Sequence, residues 1–452
     1  MNSKQARVVK LNSEQARVVK GIRPNIGKPR RYYVDGKGGV GKSFIIDGLT
    51  EGLAPDQYFK TTKTNMAAQN IGGLTYFAAL GMGITKGYDK PPVDCSNLLL
   101  FILDEGIMVS KAEFERLEER LRFCKKCDEP FGGVTFVILG DLLQLGPIGD
   151  WIFKSPLWKF FEFQILTQSM RHSEDPEFGA RLDRWREGTF EPEDAKFLES
   201  RQFHSELRSL DDYKAVADKF LQLPEDENIM VLAHENRDVD AINNEIIEKK
   251  FAVDKLYVLM SEETTKWSEG NEIKNVFHFN AARSMRVVLR RNIKQPKKNI
   301  KQGKKNGSDE EEELFCNGET GTIVSFVKYP NSDEILNVMI KVDGHVPLLK
   351  LYRNRMDNKA KSKARGVKVV DFQFPIRPAY ASTVHRAQGL TLDQVIVITD
   401  CMPPSLFYVS VSRVRCGAHL HVLYVDEKVV KAHPEAKAEY KKIMEYFGIK
   451  VV

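Results

Sequence analysis

Apolar runs of strand length alternate with helical patterns along the first third of the chain. Three such runs are "RYYVDG" (31–36), which is β-branched and aromatic, and the buried-strand candidates "NLLLFILDE" (97–105) and "GVTFVILGD" (133–141). Between the second and third, Phe114, Leu117 and Leu121 recur at intervals of three and four residues, which predicts an amphipathic helix. Strands that alternate with helices and end in acidic residues predict an α/β fold with a doubly wound parallel sheet, whose site lies at the carboxyl edge.

The same pattern starts again in the second half of the chain. A strand, a loop and a helix are predicted from residue 229, and a further unit of this kind from residue 376. The intervening segment has short β-rich pieces joined by polar turns, which predicts a small β-domain inserted into a second α/β domain. The predicted order is an N-terminal extension (1–10), a first α/β domain (11–170, with a small insertion near 74–97), the second α/β domain (171–270 and 376–452) and its inserted β-domain (271–375).

Composition sets two segments apart from these domains. Residues 1–10 are repeated at 11–20 with eight of ten positions identical, and only the second copy lies close to the glycine-rich loop described below, so the first is assigned to an extension. Residues 294–313 are basic and then acidic, which is typical of a solvated, flexible loop.

Charge and cysteine content narrow the class of partner and the compartment. The net charge of +6 and the stretch 290–305, with eight basic side chains and no acidic one, favour a polyanionic partner. The longest uncharged apolar run, 97–103, is far shorter than the roughly 20 residues of a membrane span. Six cysteines are too sparse for a disulfide framework, which indicates an intracellular protein. We expect it in the nucleus, or in the cytoplasm if viral or phage, with the mitochondrion as the weaker alternative.

The glycine-rich segment "DGKGGVGKSF" (35–44) has the spacing of a phosphate-binding loop, and a strand precedes it and a helix follows it. Its glycines allow the backbone to approach phosphates, Lys42 reaches the β and γ phosphates, and Ser43 can ligate Mg²⁺. The same letters also resemble the two-lysine loop of partition-type switch ATPases, in which Lys37 would act across a dimer. The loop therefore predicts nucleotide binding and leaves the type of ATPase open.

Two carboxylates follow the second apolar run. Asp104 stands at the end of a buried strand, where it can hold Mg²⁺, and the adjacent Glu105 can polarise an attacking water. An Asp-Glu pair about sixty residues after a phosphate loop favours a hydrolytic motor.

Further motifs follow in order along nearly the whole chain. Gly140-Asp141-x-x-Gln144-Leu145-x-Pro147 resembles motif III of superfamily 1 helicases. Other segments resemble the helicase Q motif, motif Ia, motif IV, motif V and motif VI; they are "LNSEQ" (11–15), "TNMAAQNIGGLT" (64–75), "SMRH" (169–172), "ASTVHRAQGLTLD" (381–393) and "YVSVSRVR" (408–415). Within superfamily 1, "EPFGG", "RRNI" and "CNGETGTI" make residues 11–426 similar to the petite-integration-frequency (PIF) family of 5′-to-3′ DNA helicases, with relatives in large DNA viruses, phages and Helitron-type transposons.

The resemblance implies two RecA-like domains, a small SH3-like β insertion in the second, and roles for particular residues. Lys42, Asp104 and Glu105 would run ATP hydrolysis, Gln144 would sense the γ-phosphate, and Arg171 and Arg413 would act as arginine fingers. ATP would be held by Gln15, which reads adenine, and by Gly36, Gly38, Gly39, Val40, Gly41, Lys42, Ser43 and Gly389. Mg²⁺ would be held by Ser43 and Asp104. The DNA strand would contact Thr64, Asn65, Tyr76, Thr383 and His385, with Tyr76 stacking on a base.

The implied protein is an ATP-dependent helicase that acts as a monomer on single-stranded and forked DNA, with no membrane partner. Three alternatives stay open: a partition-like switch that binds DNA without unwinding it, a helicase relative that has lost unwinding, and a helicase that acts on RNA. Motifs that read a nucleic-acid backbone do not separate DNA from RNA.

Overall fold

The computed structural model describes residues 11–83, 89–204, 212–266, 272–296, 312–357, 362 and 368–449 of the 452-residue chain. The predicted extension 1–10 and most of the predicted charged loop 294–313 lie outside the described residues.

The helices are numbered in chain order and have between 4 and 15 residues. They are α1 (Ser13–Ile22), α2 (Lys42–Thr50), α3 (Asn65–Asn70), α4 (Tyr76–Ala79), α5 (Lys111–Lys125), α6 (Pro176–Arg186), α7 (Pro192–Glu199), α8 (Asp212–Gln222), α9 (Asn236–Lys250), α10 (Val384–Ala387), α11 (Leu406–Val411) and α12 (Pro434–Tyr446).

The strands are numbered in the same way. They are β1 (Arg31–Gly36), β2 (Tyr58–Thr62), β3 (Leu74–Thr75), β4 (Leu100–Leu103), β5 (Thr135–Gly140), β6 (Glu162–Leu166), β7 (Ile229–Ala233), β8 (Tyr257–Lys266), β9 (Glu272–Ala281), β10 (Arg286–Leu289), β11 (Ile293–Pro296), β12 (Glu312–Phe315), β13 (Thr320–Lys328), β14 (Ile335–Val342), β15 (Leu349–Tyr352), β16 (Asn354–Asp357), β17 (Lys368–Gln373), β18 (Ile376–Pro378), β19 (Ala381–Thr383), β20 (Gln394–Val397) and β21 (Leu420–Val422).

The chain divides into two compact units. The first contains Met1–Ser205 and Ala387–Val452, and the second contains Glu206–Arg386. The sequence-based boundaries at 170, 270 and 375 stay predictions.

The first unit is built on a six-stranded sheet in the order β3-β2-β4-β5-β1-β6, and each strand pairs in parallel with its neighbour. Its central strands are buried on both faces, which explains why β4 and β5 are continuous apolar runs. Successive residues of β1 enter opposite layers: Tyr33 joins one apolar cluster, while Tyr32 and Val34 join the other. This sheet confirms the predicted α/β class.

Local sequence signals set the ends of two helices in this unit. Asn12 and Gln15 form a capping box at the start of α1, and Ser110 and Glu113 form another at the start of α5. The predicted amphipathic helix is confirmed in α5, whose apolar positions Phe114, Leu117 and Leu121 are fully buried. Strands β20 and β21 also belong to this unit and pair in parallel.

The second unit combines a short parallel pair with antiparallel sheets. Strands β7 and β19 are parallel, as expected for the continuation of an α/β domain. The segment between them is β-rich, with a five-stranded sheet (β15-β14-β13-β10-β18), a four-stranded sheet (β16-β17-β8-β9) and the hairpin β11-β12. The SH3-like character of this insertion stays a prediction. Across the residues that the structure describes, every helix is too short or too polar to span a membrane.

Candidate active site

The glycine-rich loop connects β1 to α2 at the carboxyl edge of the parallel sheet. Gly39 and Gly41 have φ angles of 88° and 78°, in the left-handed region that favours glycine. A β-carbon at Gly39 would lie 2.4 Å from Arg171 Cβ, so a larger residue does not fit there. The buried Lys42 Nζ donates a hydrogen bond to the carbonyl oxygen of Gly36 at 2.7 Å, which holds the ammonium group inside the loop.

Gln15 braces this loop from α1. Its Nε2 donates to the Val40 carbonyl at 2.9 Å, and its Oε1 accepts from the Asn12 backbone N–H at 3.0 Å. A β-carbon at Gly41 would lie 2.5 Å from the same Nε2. Both ends of the buried amide are therefore engaged by the protein, and its predicted role in reading adenine stays a prediction.

Asp104 and Glu105 follow β4 at the same edge of the sheet. The Glu105 backbone N–H donates to Asp104 Oδ1 at 3.0 Å, and Glu105 adopts a left-handed φ of 51°. Burial, followed by the charge of Glu105, raises the pKa of Asp104 to about 7, while Lys42 acts in the opposite direction. The buried Asp104 and the half-buried Glu105, beside the loop lysine, form a suitable place for a cation.

Gln144 and the two predicted arginine fingers meet at the phosphate loop. A β-carbon at Gly38 would lie 3.4 Å from Gln144 Nε2 and 3.7 Å from a terminal guanidinium nitrogen of each of Arg171 and Arg413. All of these residues belong to the first compact unit. The structure therefore brings together three side chains that come from distant parts of the sequence.

Backbone and hydroxyl groups of the α11 region orient both arginines. Arg413 Nε donates to the Val409 carbonyl and its Nη2 to Ser412 Oγ, each at 2.7 Å, and Arg171 Nη1 donates to the Ser412 carbonyl at 2.9 Å. Burial, followed by the positive charge of Arg171, lowers the pKa of Arg413 to about 10. Two desolvated guanidinium groups beside a phosphate loop form an anion site.

A buried ionic cluster lies next to the phosphate loop and is linked to it by a hydrogen bond. The sequence analysis did not predict this cluster. Arg186 donates to Asp141 Oδ1 through Nε at 2.9 Å and Nη2 at 2.6 Å, and to Asp35 Oδ2 at 3.1 Å. The Tyr408 hydroxyl donates to Asp141 Oδ2 and accepts from the Gly38 N–H, both at 3.4 Å. The GD pair of motif III was the one available signal, because it placed Asp141 at a strand end.

Gln388 is a second residue that the sequence reasoning passed over. Its Nε2 lies 3.3 Å from Glu105 Oε2 and 3.3 Å from Gln144 Oε1. Motif V supplied the only signal, since Gln388 precedes the predicted nucleotide-binding residue Gly389. Gly389 has a left-handed φ of 85°, and a β-carbon built there would have no atom beyond its chain neighbours within 4 Å.

The predicted DNA-contact residues are divided between the two units. In the first, Thr64 caps α3 by accepting a hydrogen bond from the Ala67 N–H at 3.3 Å, and Asn65 is the first helical residue. In the second, Thr383 is buried at the end of β19 and His385 lies in α10, where burial and then the charge of His234 lower the pKa of His385.

Tyr76 requires a correction. The side chain is fully buried and its ring stacks on Phe77 with a centroid distance of 4.2 Å. The expectation that Tyr76 stacks on a base is wrong for this arrangement, because the fully buried side chain belongs to the apolar core that also contains Leu80 and Phe114.

Comparisons with known proteins agree with this geometry. A family model for PIF1-like helicases matches residues 10–185. "ATP-dependent DNA helicase PIF1" of Danio rerio is 26% identical over 96% of this chain and 64% of its own length. "ATP-dependent DNA helicase Pif1" of Bdellovibrio bacteriovorus is 25% identical over 96% of this chain and 92% of its own length.

The fold has solved counterparts as well. The Pif1 helicase from Bacteroides in complex with ADP-AlF3 and ssDNA matches with a TM-score of 0.71 and 21% identity, over 97% of this chain and 98% of that one. The Pif1 helicase from Candida albicans matches with a TM-score of 0.70 and 20% identity, over 97% and 99%. The chain spans 63 to 64% of the length of several curated relatives. The chain is thus similar in sequence to PIF1-like helicases along most of its length, and residues 10–185 match the model of that family.

Proposed function

We propose that this chain is an ATP-dependent DNA helicase that moves 5′-to-3′ on single-stranded DNA and unwinds duplex during replication, repair or recombination. The observation that carries the proposal is the meeting of Gln144, Arg171 and Arg413 at Gly38 of the phosphate loop. A simple nucleotide-binding protein needs the loop but not a γ-phosphate sensor and two desolvated arginines.

Nucleotide binding uses the loop and its brace. The backbone of Gly36 to Gly41 and the N-terminus of α2 receive the phosphates, and Lys42 exchanges its bond to the Gly36 carbonyl for the β and γ oxygens. Gln15 fixes the loop through Val40, and the second N–H and the second oxygen lone pair of its amide would read adenine.

Hydrolysis uses the carboxylates that follow β4. Glu105 orients and deprotonates the attacking water, and Arg171 and Arg413 offset the charge that grows on the phosphoryl oxygens. Gln144 reports the presence of the γ-phosphate.

Magnesium fits the donors that are present. Among the described residues no group of three or more His, Cys, Asp or Glu side chains forms a protein-only metal cage. Mg²⁺ is commonly bound through one or two carboxylates together with substrate phosphates, and the raised pKa of Asp104 marks a carboxylate that gains from a nearby cation. Asp104 and the exposed Ser43 would hold the ion, which supplies neutralisation of phosphate charge.

The proposed partner is single-stranded and forked DNA. Thr64 and Asn65 at the start of α3, and Thr383 and His385 in the second unit, are the proposed strand contacts. Backbone contacts of this kind are largely independent of sequence. The relatives' names and the Bacteroides Pif1 structure bound to ssDNA support this choice over RNA. We further propose a monomer on DNA and a nuclear or cytoplasmic location.

The partition-type switch is the competing function, and one contact counts against it. Lys37 Nζ is 2.6 Å from both carboxylate oxygens of Asp183 in the same chain. A lysine engaged in this way is not presented to a second copy.

Strand separation on forked duplexes with only a 5′ tail or only a 3′ tail, in the presence of ATP and Mg²⁺, tests the proposal. Wild type should unwind the 5′-tailed fork, and Lys42→Ala should unwind neither. Unwinding from the 3′ tail alone would overturn the polarity. ATP hydrolysis that single strands do not stimulate, without displacement on either fork, would favour the switch.

A further inference from the structure

We infer that Gln388 is a positioning residue that fixes the relative positions of the Glu105 carboxylate and the Gln144 side chain during ATP hydrolysis. The inference rests on the proposed function, since it assigns a part in ATP hydrolysis. Gln388 would then act together with Glu105 and Gln144, the two residues that the helicase motifs identify.

The contacts define a bridge between two motifs. Gln388 Nε2 is 3.3 Å from Glu105 Oε2 and 3.3 Å from Gln144 Oε1. Both neighbours are oxygen acceptors, so the amide must present its NH₂ group and not its carbonyl to them. One amide group with two N–H bonds thus serves both partners.

The position of Gln388 in the fold suits this task. It follows α10 directly and belongs to the first compact unit together with Glu105 and Gln144. Glu105 follows β4 and Gln144 follows β5, and these two strands are neighbours in the parallel sheet. A side chain that contacts both strand ends fixes the distance between the group that activates water and the group that senses the γ-phosphate.

The protein satisfies only one end of the Gln388 amide. The Oε1 atom of Gln388 is buried and accepts no hydrogen bond from the part of the protein that the structure describes. Desolvation of such an oxygen is unfavourable when no donor replaces the lost water. Buried polar atoms without a protein partner need a specific explanation, and a functional site is one.

Three variants test the inference against the exposed control Gln222→Ala, at the end of α8. Gln388→Ala should reduce kcat of the DNA-stimulated ATPase about 10- to 100-fold, the size expected when a reacting group is misplaced. The KM for ATP, the affinity for a fluorescent ATP analogue and the melting temperature should stay close to wild type. In a Glu105→Gln background, adding Gln388→Ala should cost little more, because residues that act as a unit are not additive.

Gln388→Glu supplies a readout that a structural role would not move. A carboxylate at position 388 has no N–H to donate to Gln144 and repels Glu105. kcat should therefore fall at least as far as in Gln388→Ala, while the KM for ATP stays close to wild type.

The outcomes separate the inference from the proposed function. Wild-type protein without ATPase activity would overturn both. An active wild type with a Gln388→Ala variant within about twofold of its kcat would overturn the inference alone. A Gln388→Ala variant that loses nucleotide binding or melts at much lower temperature would also overturn the inference alone. So would losses that are additive with Glu105→Gln, or a Gln388→Glu variant that keeps the kcat of wild type.

Discussion

Lys37 and Asp183 form an ion pair in which the lysine Nζ is 2.6 Å from both carboxylate oxygens. Lys37 is the second lysine that makes the loop resemble a partition-type ATPase, and the structure ties it to α6 of its own chain. The resemblance in letters therefore does not extend to the contacts that a partition-type mechanism needs.

Lys37→Ala should leave at least about half of the ATPase activity. The pair is partly exposed, with side-chain exposures of 19% and 47%, and pairs of this kind contribute about 0–1 kcal/mol. Steady-state ATP hydrolysis with single-stranded DNA measures the effect, and Lys42→Ala is the inactive reference. Loss of hydrolysis in Lys37→Ala with normal nucleotide binding would support the partition-type ATPase instead.

Arg186→Met should destabilise the protein by about 3–5 kcal/mol, because it leaves Asp35 and Asp141 buried without their cation. Denaturant unfolding at pH 7 measures the loss. Arg30→Met is the matched control: its ion pair with Glu162 at 2.9 Å is exposed, so its cost should stay below about 1 kcal/mol. Equal costs for the two variants would contradict the importance of burial.

Asp104→Asn should stabilise the protein at pH 8 and have little effect at pH 4, when nucleotide and Mg²⁺ are left out of the buffer. The folded-state pKa of Asp104 is raised from 3.8 to about 7, so the folded state holds the proton more tightly than the unfolded chain. Stability from this group is then lost as pH rises from about 4 to 7, by on the order of 4 kcal/mol.

Thermal unfolding across this pH range measures the difference between the Asp104 variant and wild type. The exposed Asp254→Asn is the control, and its curve should follow wild type. A gain that is the same at pH 4 and pH 8 would show that ionisation of Asp104 is not its source.

Tyr76→Ala should cost about 3–5 kcal/mol of stability, as expected for removing a large aromatic group from a core. Tyr76→Phe keeps the packing and should bind single-stranded DNA like wild type. Fluorescence anisotropy with a labelled oligonucleotide, alongside thermal unfolding, checks both statements. A stable Tyr76→Ala variant with weakened DNA binding would restore the base-stacking role.

Much of the first unit could be predicted from local sequence. The runs at 97–105 and 133–141 contain β4 and β5, because strands buried on both faces of a parallel sheet must be apolar throughout. The helix α5 followed from the spacing of Phe114, Leu117 and Leu121. The phosphate loop was visible because its glycines and Lys42 occupy fixed positions between β1 and α2.

Contacts between distant residues could not be predicted in this way. Arg186 is 151 residues from Asp35, and Gln388 is 283 residues from Glu105, so no local pattern connects them. Tyr76 shows the opposite problem: its motif suggested a surface aromatic, whereas packing against Phe77 placed it in the core. Motif order could identify candidate residues, but only the fold shows which of them touch.

The adjacent guanidinium groups of Arg171 and Arg413 have a consequence for nucleotide selectivity. Each raises the electrostatic energy of the other, and the lowered pKa of Arg413 shows that burial and repulsion outweigh the attraction of nearby carboxylates. A ligand relieves this repulsion in proportion to the negative charge it brings near Gly38. If the two arginines act as proposed, the γ-phosphate decides the binding preference, and we expect the protein to discriminate ATP from ADP by the charge of the ligand more than by its shape.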